Sequence, residues 1–222
     1  MRSAVYAAAL VALAMPLASQ ASAQGMEKDP TNKVQGGQVP AGWHIRLDDK
    51  DMKRFTTNDT KFVAMEGGYH VTSGPAAIYY NPANSASGNY TVTGSFTQVK
   101  APMHPEAYGI FVGGSNLETP NQNYLYFLVR GTGEYLINHR AGADVHKIVN
   151  WTASDAIVKQ NDKGVATNTL SIEAQKDSVR FMVNGKLVKV LPRAAVMSSE
   201  GIAGIRVNHN LDVHIGSFSV KK

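Results

Sequence analysis

The sequence predicts an all-β fold, two antiparallel sheets packed as a sandwich, and three observations predict it. From Trp43 onward, apolar residues recur with period two in short runs separated by turn residues. Turn signals such as Asn184-Gly185 and Gly131-Thr132-Gly133 stand between runs of matched length. Only one stretch, residues 192–200 (PRAAVMSSE), has helical character, and it is long enough for one or two turns.

Ahead of the sandwich, residues 1–23 carry the marks of a cleaved export signal. Arg2 gives the positive start, AVYAAALVALAMPLA gives a short apolar core broken by Pro16, and Ala21-Ser22-Ala23 gives the small residues that signal peptidase reads. That core is shorter than the ~20 residues a membrane span needs. Residues 24–40 (QGMEKDPTNKVQGGQVP) are polar and lack periodicity, as expected of a flexible leader. Residues 41–222 are then a single β-sandwich domain, in a protein expected to be periplasmic or secreted by a bacterium and not inserted in a membrane after cleavage. With no cysteine, it must be held by burial and hydrogen bonds rather than disulfides.

Within the domain, GGYHVTSG, PAAIYYN, NYTVTGSFTQV and AYGIFVGG read as strands. NYLYFLVRGTGEYLINHR reads as a hairpin that sets Arg130 against Glu134, Leu128 against Leu136, Tyr126 against Asn138 and Tyr124 against Arg140. TLSIEA points Leu170 and Ile172 inward. SVRFMVNGKLVKV turns at Asn184-Gly185, with Phe181 opposite Val188 and Val179 opposite Val190. At the end of the chain, GIAGIRVNHNLDVHIGSFSV is written in mirrored order around Asn208-His209-Asn210. This pattern predicts a hairpin with Arg206 against Asp212 and Ile205 against Val213. The apolar phase changes after Ile215, which places a bulge at Gly216-Ser217.

NTLSIEAQKDSVRFMVNGKLVKVL, the closing stretch, and AYGIFVGG followed by YLYFLVRGTGEYLINHR together resemble the concanavalin A-like, or laminin G-like, jelly rolls. Within that superfamily the chain is most similar to exported 3-keto-disaccharide hydrolase-like domains, from about Trp43 to Val220. The resemblance implies a two-sheet jelly roll and a link to sugars. The Glu-x-Asp-x-x-Glu strand of the family-16 glycanases on this fold is missing, and with it the close carboxylate pair that retaining hydrolysis needs.

The net charge of +5 is spread without a basic run, which disfavours nucleic acid as a partner. No Gly-x-Ser-x-Gly elbow, nucleophilic cysteine or phosphate-cradling loop occurs. Asp48, Asp49 and Asp51 form the only acidic cluster, read as a solvated turn rather than a calcium loop. The seven histidines include no helical metal pair; the closing hairpin would put Arg206, Asp212 and His214 on one face, as polar decoration. No metal and no cofactor is expected.

The candidate ligand contacts are Tyr124, Tyr126, Arg130, Glu134, Asn138 and Arg140, all on one face of the second hairpin. Tyrosines meet sugar rings and hydroxyls, Asn138 reads hydroxyls and Arg140 pairs with an acidic group or a ring oxygen. The same face also reads as a solvated sheet surface stabilised by cross-strand pairs. The expected function is an exported module that binds a carbohydrate or similar polar ligand on the concave sheet of its jelly roll, without catalysis. One alternative is a glycoside-cleaving enzyme of the 3-keto type. It would use Glu134 or His209 as base and Arg130 or a metal as electrophile, with no catalytic residue assignable. The other is a structural or partner-binding domain.

Overall fold

A computed structural model of the chain describes residues 34–196 and 199–222. The export signal and the first part of the leader lie outside the described residues. Among the described residues, fourteen strands form two antiparallel sheets of seven. Sheet A runs in the order β1 (His44–Leu47), β4 (Ala77–Ala86), β13 (Gly201–Val207), β6 (Ala107–Ser115), β7 (Asn123–Arg130), β8 (Glu134–Ala141), β9 (Asp144–Ala153). Sheet B runs β12 (Lys186–Pro192), β11 (Ser178–Val183), β10 (Ala166–Ala174), β5 (Tyr90–Gln98), β14 (Asp212–Lys221), β3 (Gly68–Ser73), β2 (Thr60–Met65).

Alternation drives the packing. Phe62, Val71, Phe96, Tyr108, Ile110, Leu125, Phe127, Ile137, Leu170, Ile172 and Phe181 come from both sheets and meet between them with no exposed surface. Each such side chain contributes about 1.5–3 kcal/mol by leaving water. Trp43, ahead of β1, closes one end of this core against Phe62, Tyr69 and Phe218.

The β7–β8 hairpin has the register read from its sequence, Arg130 opposite Glu134 through Tyr124 opposite Arg140. The bulge between Ile215 and Ser217 is present, and it turns Phe218 and Val220 back toward the core. Helical structure between 192 and 200 is confined, among the described residues, to one 3-10 turn at Arg193–Ala195; Met197 and Ser198 lie outside them.

Two expectations need correction. At Asn184-Gly185 the turn forms with both residues at positive φ (50° and 75°), but a bulge after Phe181 moves the pairing by one. Phe181 faces Lys189 and Val179 faces Leu191. The larger correction is at the end of the chain. β13 and β14 are not a hairpin: β13 lies inside sheet A between β4 and β6, and β14 inside sheet B between β5 and β3. Asn208-His209-Asn210 carries the chain from one sheet to the other, with Asn210 at φ 54°. Ile205 and Val207 therefore face Val213 and Ile215 across the core rather than beside them in one sheet. Mirrored alternation satisfies either arrangement, because both bury the same residues.

Candidate functional site

Sheet A buries residues on both faces. Its outer face holds a second apolar cluster: Ile78 and Tyr80 from β4, Phe111 from β6, Tyr124, Tyr126 and Leu128 from β7, and Leu136 from β8. Gly204 on β13 makes room for it, since a Cβ there would stand 2.4 Å from the Phe111 ring. Into this apolar bed the sheet sets Arg46, Arg206, Asn138 and Arg140. The turn after β1 folds over them and brings in Asp48 and Asp49.

Asp48 is the hub. Arg206 donates to both of its carboxylate oxygens, at 2.8 Å each, and Arg140 Nη2 donates to Oδ2 at 3.1 Å. Arg206 also donates to the Tyr124 hydroxyl at 3.0 Å and lies 5.0 Å from the Tyr126 ring centroid. Asn138 Nδ2 donates to the Tyr126 hydroxyl at 3.2 Å. Beside the hub, Asp49 accepts from Arg46 at 2.5 Å and from Gln122 at 3.3 Å, which pins the turn across the sheet face.

All of these groups except Asp49 are nearly sealed from solvent; Arg140 and Asn138, the most open with Arg46, keep 8% of their surface. Burial by itself would raise the Asp48 pKa, but Arg206 and then Arg140 outweigh it and hold the carboxyl well below the usual carboxylate range. Burial pushes the Tyr124 phenol up, so it stays neutral. Four buried polar atoms in this cluster have no hydrogen-bond partner among the described residues: Asn138 Oδ1 and the Nε atoms of Arg46, Arg140 and Arg206.

The structure thus brings together Tyr124, Tyr126, Asn138 and Arg140. Arg130 and Glu134 share their face but stand at the turn end of the hairpin, where they satisfy each other through two hydrogen bonds of 3.0 and 2.6 Å. Those bonds, then one from Thr132, lower the Glu134 pKa to about 2. Arg130 also stacks on Trp151, 4.3 Å from its ring centroid.

Sequence reasoning missed Arg46, Arg206 and the Asp48–Asp49 turn. The acidic cluster is not a solvated turn: Asp48 and Asp51 are buried, and Asp51 Oδ2 accepts from His209 Nε2 at 3.1 Å. The other imidazole nitrogen of His209 faces Glu106 at 3.6 Å. Arg206 does not share a face with Asp212 and His214, because β13 and β14 belong to different sheets. The available signal was a lone arginine alternating with Ile205 and Val207 in an otherwise apolar, Gly-rich run.

Next to Arg46 a cleft of about 460 Å³ opens to solvent, lined by His44, Met52, Phe55, Thr56, Tyr80 and Glu118 among others. The His44 ring stacks on Tyr80, centroids 5.3 Å apart and planes 15° from parallel.

No protein-family model and no curated protein matches the sequence. Solved structures do match the fold. The carbohydrate-binding module CBM66 of Bacillus subtilis superposes with a TM-score of 0.59 at 11% identity, covering 86% of this chain and all (100%) of that one. The metal-free carbohydrate recognition domain of Emp46p gives 0.56 at 12% identity, covering 81% and 88%. A Bacteroides ovatus GH16 protein of the mixed linkage glucan PUL, in complex with G4G4G3G product, gives 0.56 at 6% identity, covering 80% and 94%. At these identities the likeness is one of architecture: the chain has the two-sheet, jelly-roll arrangement of these structures.

Proposed function

We propose that this chain is an exported jelly-roll module that binds a carbohydrate or similar polar ligand at the outer face of sheet A, without catalysis. One observation carries the reading: a sheet face that need only be solvated instead collects arginines, tyrosines and an asparagine around Asp48, with four buried polar atoms unpartnered. Buried ion clusters are poor devices for stability alone. Unpartnered buried donors and acceptors cost about 1–3 kcal/mol each until something fills them. A sugar offers hydroxyls for the arginine Nε–H groups and Asn138 Oδ1, and an apolar ring face for the tyrosines. The cleft at His44 and Tyr80 is the route in, with Arg46 standing between cleft and cluster. The jelly-roll neighbours include a carbohydrate-binding module and a carbohydrate recognition domain, which supports the same ligand class. Release into the periplasm or medium follows from the export signal expected at residues 1–23.

A second reading, cleavage of a 3-keto-glycoside, is favoured by the same buried cluster, since guanidinium groups beside a neutral phenol suit a developing oxyanion. The binding reading is preferred because the cluster's carboxylate is saturated: Asp48 accepts three arginine hydrogen bonds and is a poor proton acceptor.

Calorimetric titration against neutral, acidic and 3-keto sugars tests both. Binding is expected to weaken at least about tenfold in Asn138→Ala and in Tyr80→Ala, with no product formed. Turnover of a 3-keto sugar would replace the first reading by the second. A flat response to every sugar would sink both.

A further inference from the structure

The outer face of sheet B carries a second polar constellation, unrelated to the site above. Val71 on β3 and Val213 and Ile215 on β14 point into the core, so their neighbours His70, Thr72, Asp212 and His214 point outward. β3 and β14 are paired so that His70 and His214 are direct cross-strand partners, with Asp212 two pairs along on the same face, opposite Thr72. The two imidazole rings meet edge to face with centroids 4.5 Å apart. His70 Nε2 stands 2.6 Å from Asp212 Oδ1, and the Thr72 hydroxyl is 3.4 Å from the same nitrogen. One ligand atom from each of His70, Asp212 and His214 falls within 4.8 Å of the others.

We infer that His70, Asp212 and His214 bind a borderline divalent transition ion, of which Zn²⁺ is the type. Two imidazole nitrogens and one carboxylate oxygen are the donors such ions prefer. At metal–ligand distances of about 2.0–2.2 Å, tetrahedral donors sit roughly 3.3–3.5 Å apart. Side-chain rotation on a fixed pair of strands adjusts the three donors to that spacing, opening the His70–Asp212 pair from 2.6 Å. Coordination through His70 Nε2 takes the neutral imidazole with its proton on Nδ1, and the metal then occupies the line now held by the His70–Asp212 hydrogen bond. The groups remain partly exposed, with 25% of the His70 side chain and 20% of the Asp212 side chain open to solvent, so an ion enters without unfolding anything. Three protein ligands leave a fourth position for water.

The charge around the site chooses among ions. Among the described residues Asp212 is its only carboxylate; Lys100 acts on that carboxylate, and Lys61 lies opposite Thr72 on β2. An ion held by charge and oxygen donors, such as Ca²⁺ or Mg²⁺, has little to gain here. An ion that gains chiefly from imidazole nitrogen does.

The consequence is a clip between distant parts of the chain. His70 and Asp212 are 142 positions apart, and the strands they join lie near the two ends of the domain. Closing so long a loop limits the unfolded chain most. In a protein without cysteine, the metal would do the work of a missing disulfide.

The test uses the untagged chain, stripped with a chelator and titrated with Zn²⁺ alone, by calorimetry and thermal unfolding. Saturating Zn²⁺, at about a hundred times its dissociation constant, is expected to raise Tm by roughly 5–10 °C. His70→Ala and His214→Ala are each expected to abolish both the heat and the shift. Asp212→Asn should weaken binding at least tenfold. His104→Ala, at an exposed loop histidine that is not among the three donors, should change nothing. All four sites are at the surface or partly exposed, and circular dichroism checks that each variant is folded. The inference is overturned if the wild-type chain shows no Zn²⁺ binding, or if both histidine variants keep wild-type affinity. Because the site lies on the other sheet, a failed sugar titration leaves it standing, and its own failure leaves the sugar site standing.

Discussion

Asp48 accepts three hydrogen bonds from two guanidinium groups in a nearly sealed site, and the energetics of the outer face of sheet A rest on that hub. Removing one partner of a buried pair leaves the other charged and unpaired, at a cost of about 3–5 kcal/mol. Arg206→Met is therefore expected to destabilise by about that much, as is Asp48→Leu. The double variant should cost clearly less than the sum, as read by urea unfolding. The pH dependence has a definite sign. Asp48 titrates lower in the folded chain than in the unfolded one, so at acid pH the unfolded state takes up the proton first. Its contribution is complete above the unfolded value of about 3.9 and is lost as pH falls toward the folded value. The chain should lose stability from about pH 5 down to pH 3, and the Asp48→Leu variant should lose less over that interval. At this scale the sequence was legible where side chains answer to a local register. Tyr124, Tyr126, Asn138 and Arg140 were placed on one face by counting pairs along one hairpin. Arg46 and Arg206 were not, because their strands reach that face only through β4 and β6, far away in sequence.

The elements show what turn chemistry can specify. The Asn184-Gly185 turn does more than reverse the chain between β11 and β12. Asn184 Oδ1 accepts from the Thr169 amide at 2.8 Å, and Nδ2 donates to the Ala156 carbonyl and to Asn168 Oδ1, each at 2.9 Å. The residue thus ties the turn to β10 and to the loop after β9, in a left-handed conformation that asparagine tolerates better than most. Asn184→Ala should cost about 2–3 kcal/mol, since it removes hydrogen bonds worth about 1 kcal/mol each as well as adding strain. Gly185→Ala, with no atom near its missing Cβ, should cost about 1 kcal/mol from φ alone. Thermal unfolding of the two variants ranks them, and an equal or reversed order would show that the side-chain bonds carry no weight. The turn itself was visible in the sequence, whereas the bulge that shifts its register after Phe181 was not. A bulge inserts a residue without changing composition, and only packing against β10 decides where it goes.

The whole molecule is set by the passage of the chain from β13 to β14. Each strand is internal to its sheet, so residues 201–222 supply a middle strand to both halves of the sandwich. Truncation before Asp212 removes β14 and opens a gap between β5 and β3, with Phe96, Val71 and Phe62 left uncovered. Such a chain should fail to fold, read as loss of the far-UV β signal and of cooperative melting. A cooperative transition would show that sheet A with the remaining strands is self-sufficient. The sequence by itself determined the all-β class, the strand alternation, the β7–β8 register and the bulge at Gly216, since each depends on the local periodicity of side chains about an extended backbone. Only the tertiary structure decided that Ile205 meets Val213 across the core, that Arg206 finds Asp48 rather than Asp212, and that Asp48 and Asp51 are buried. One-dimensional alternation says which side of a strand is apolar, but not which sheet the strand joins. That choice depends on burying all fourteen strands at once.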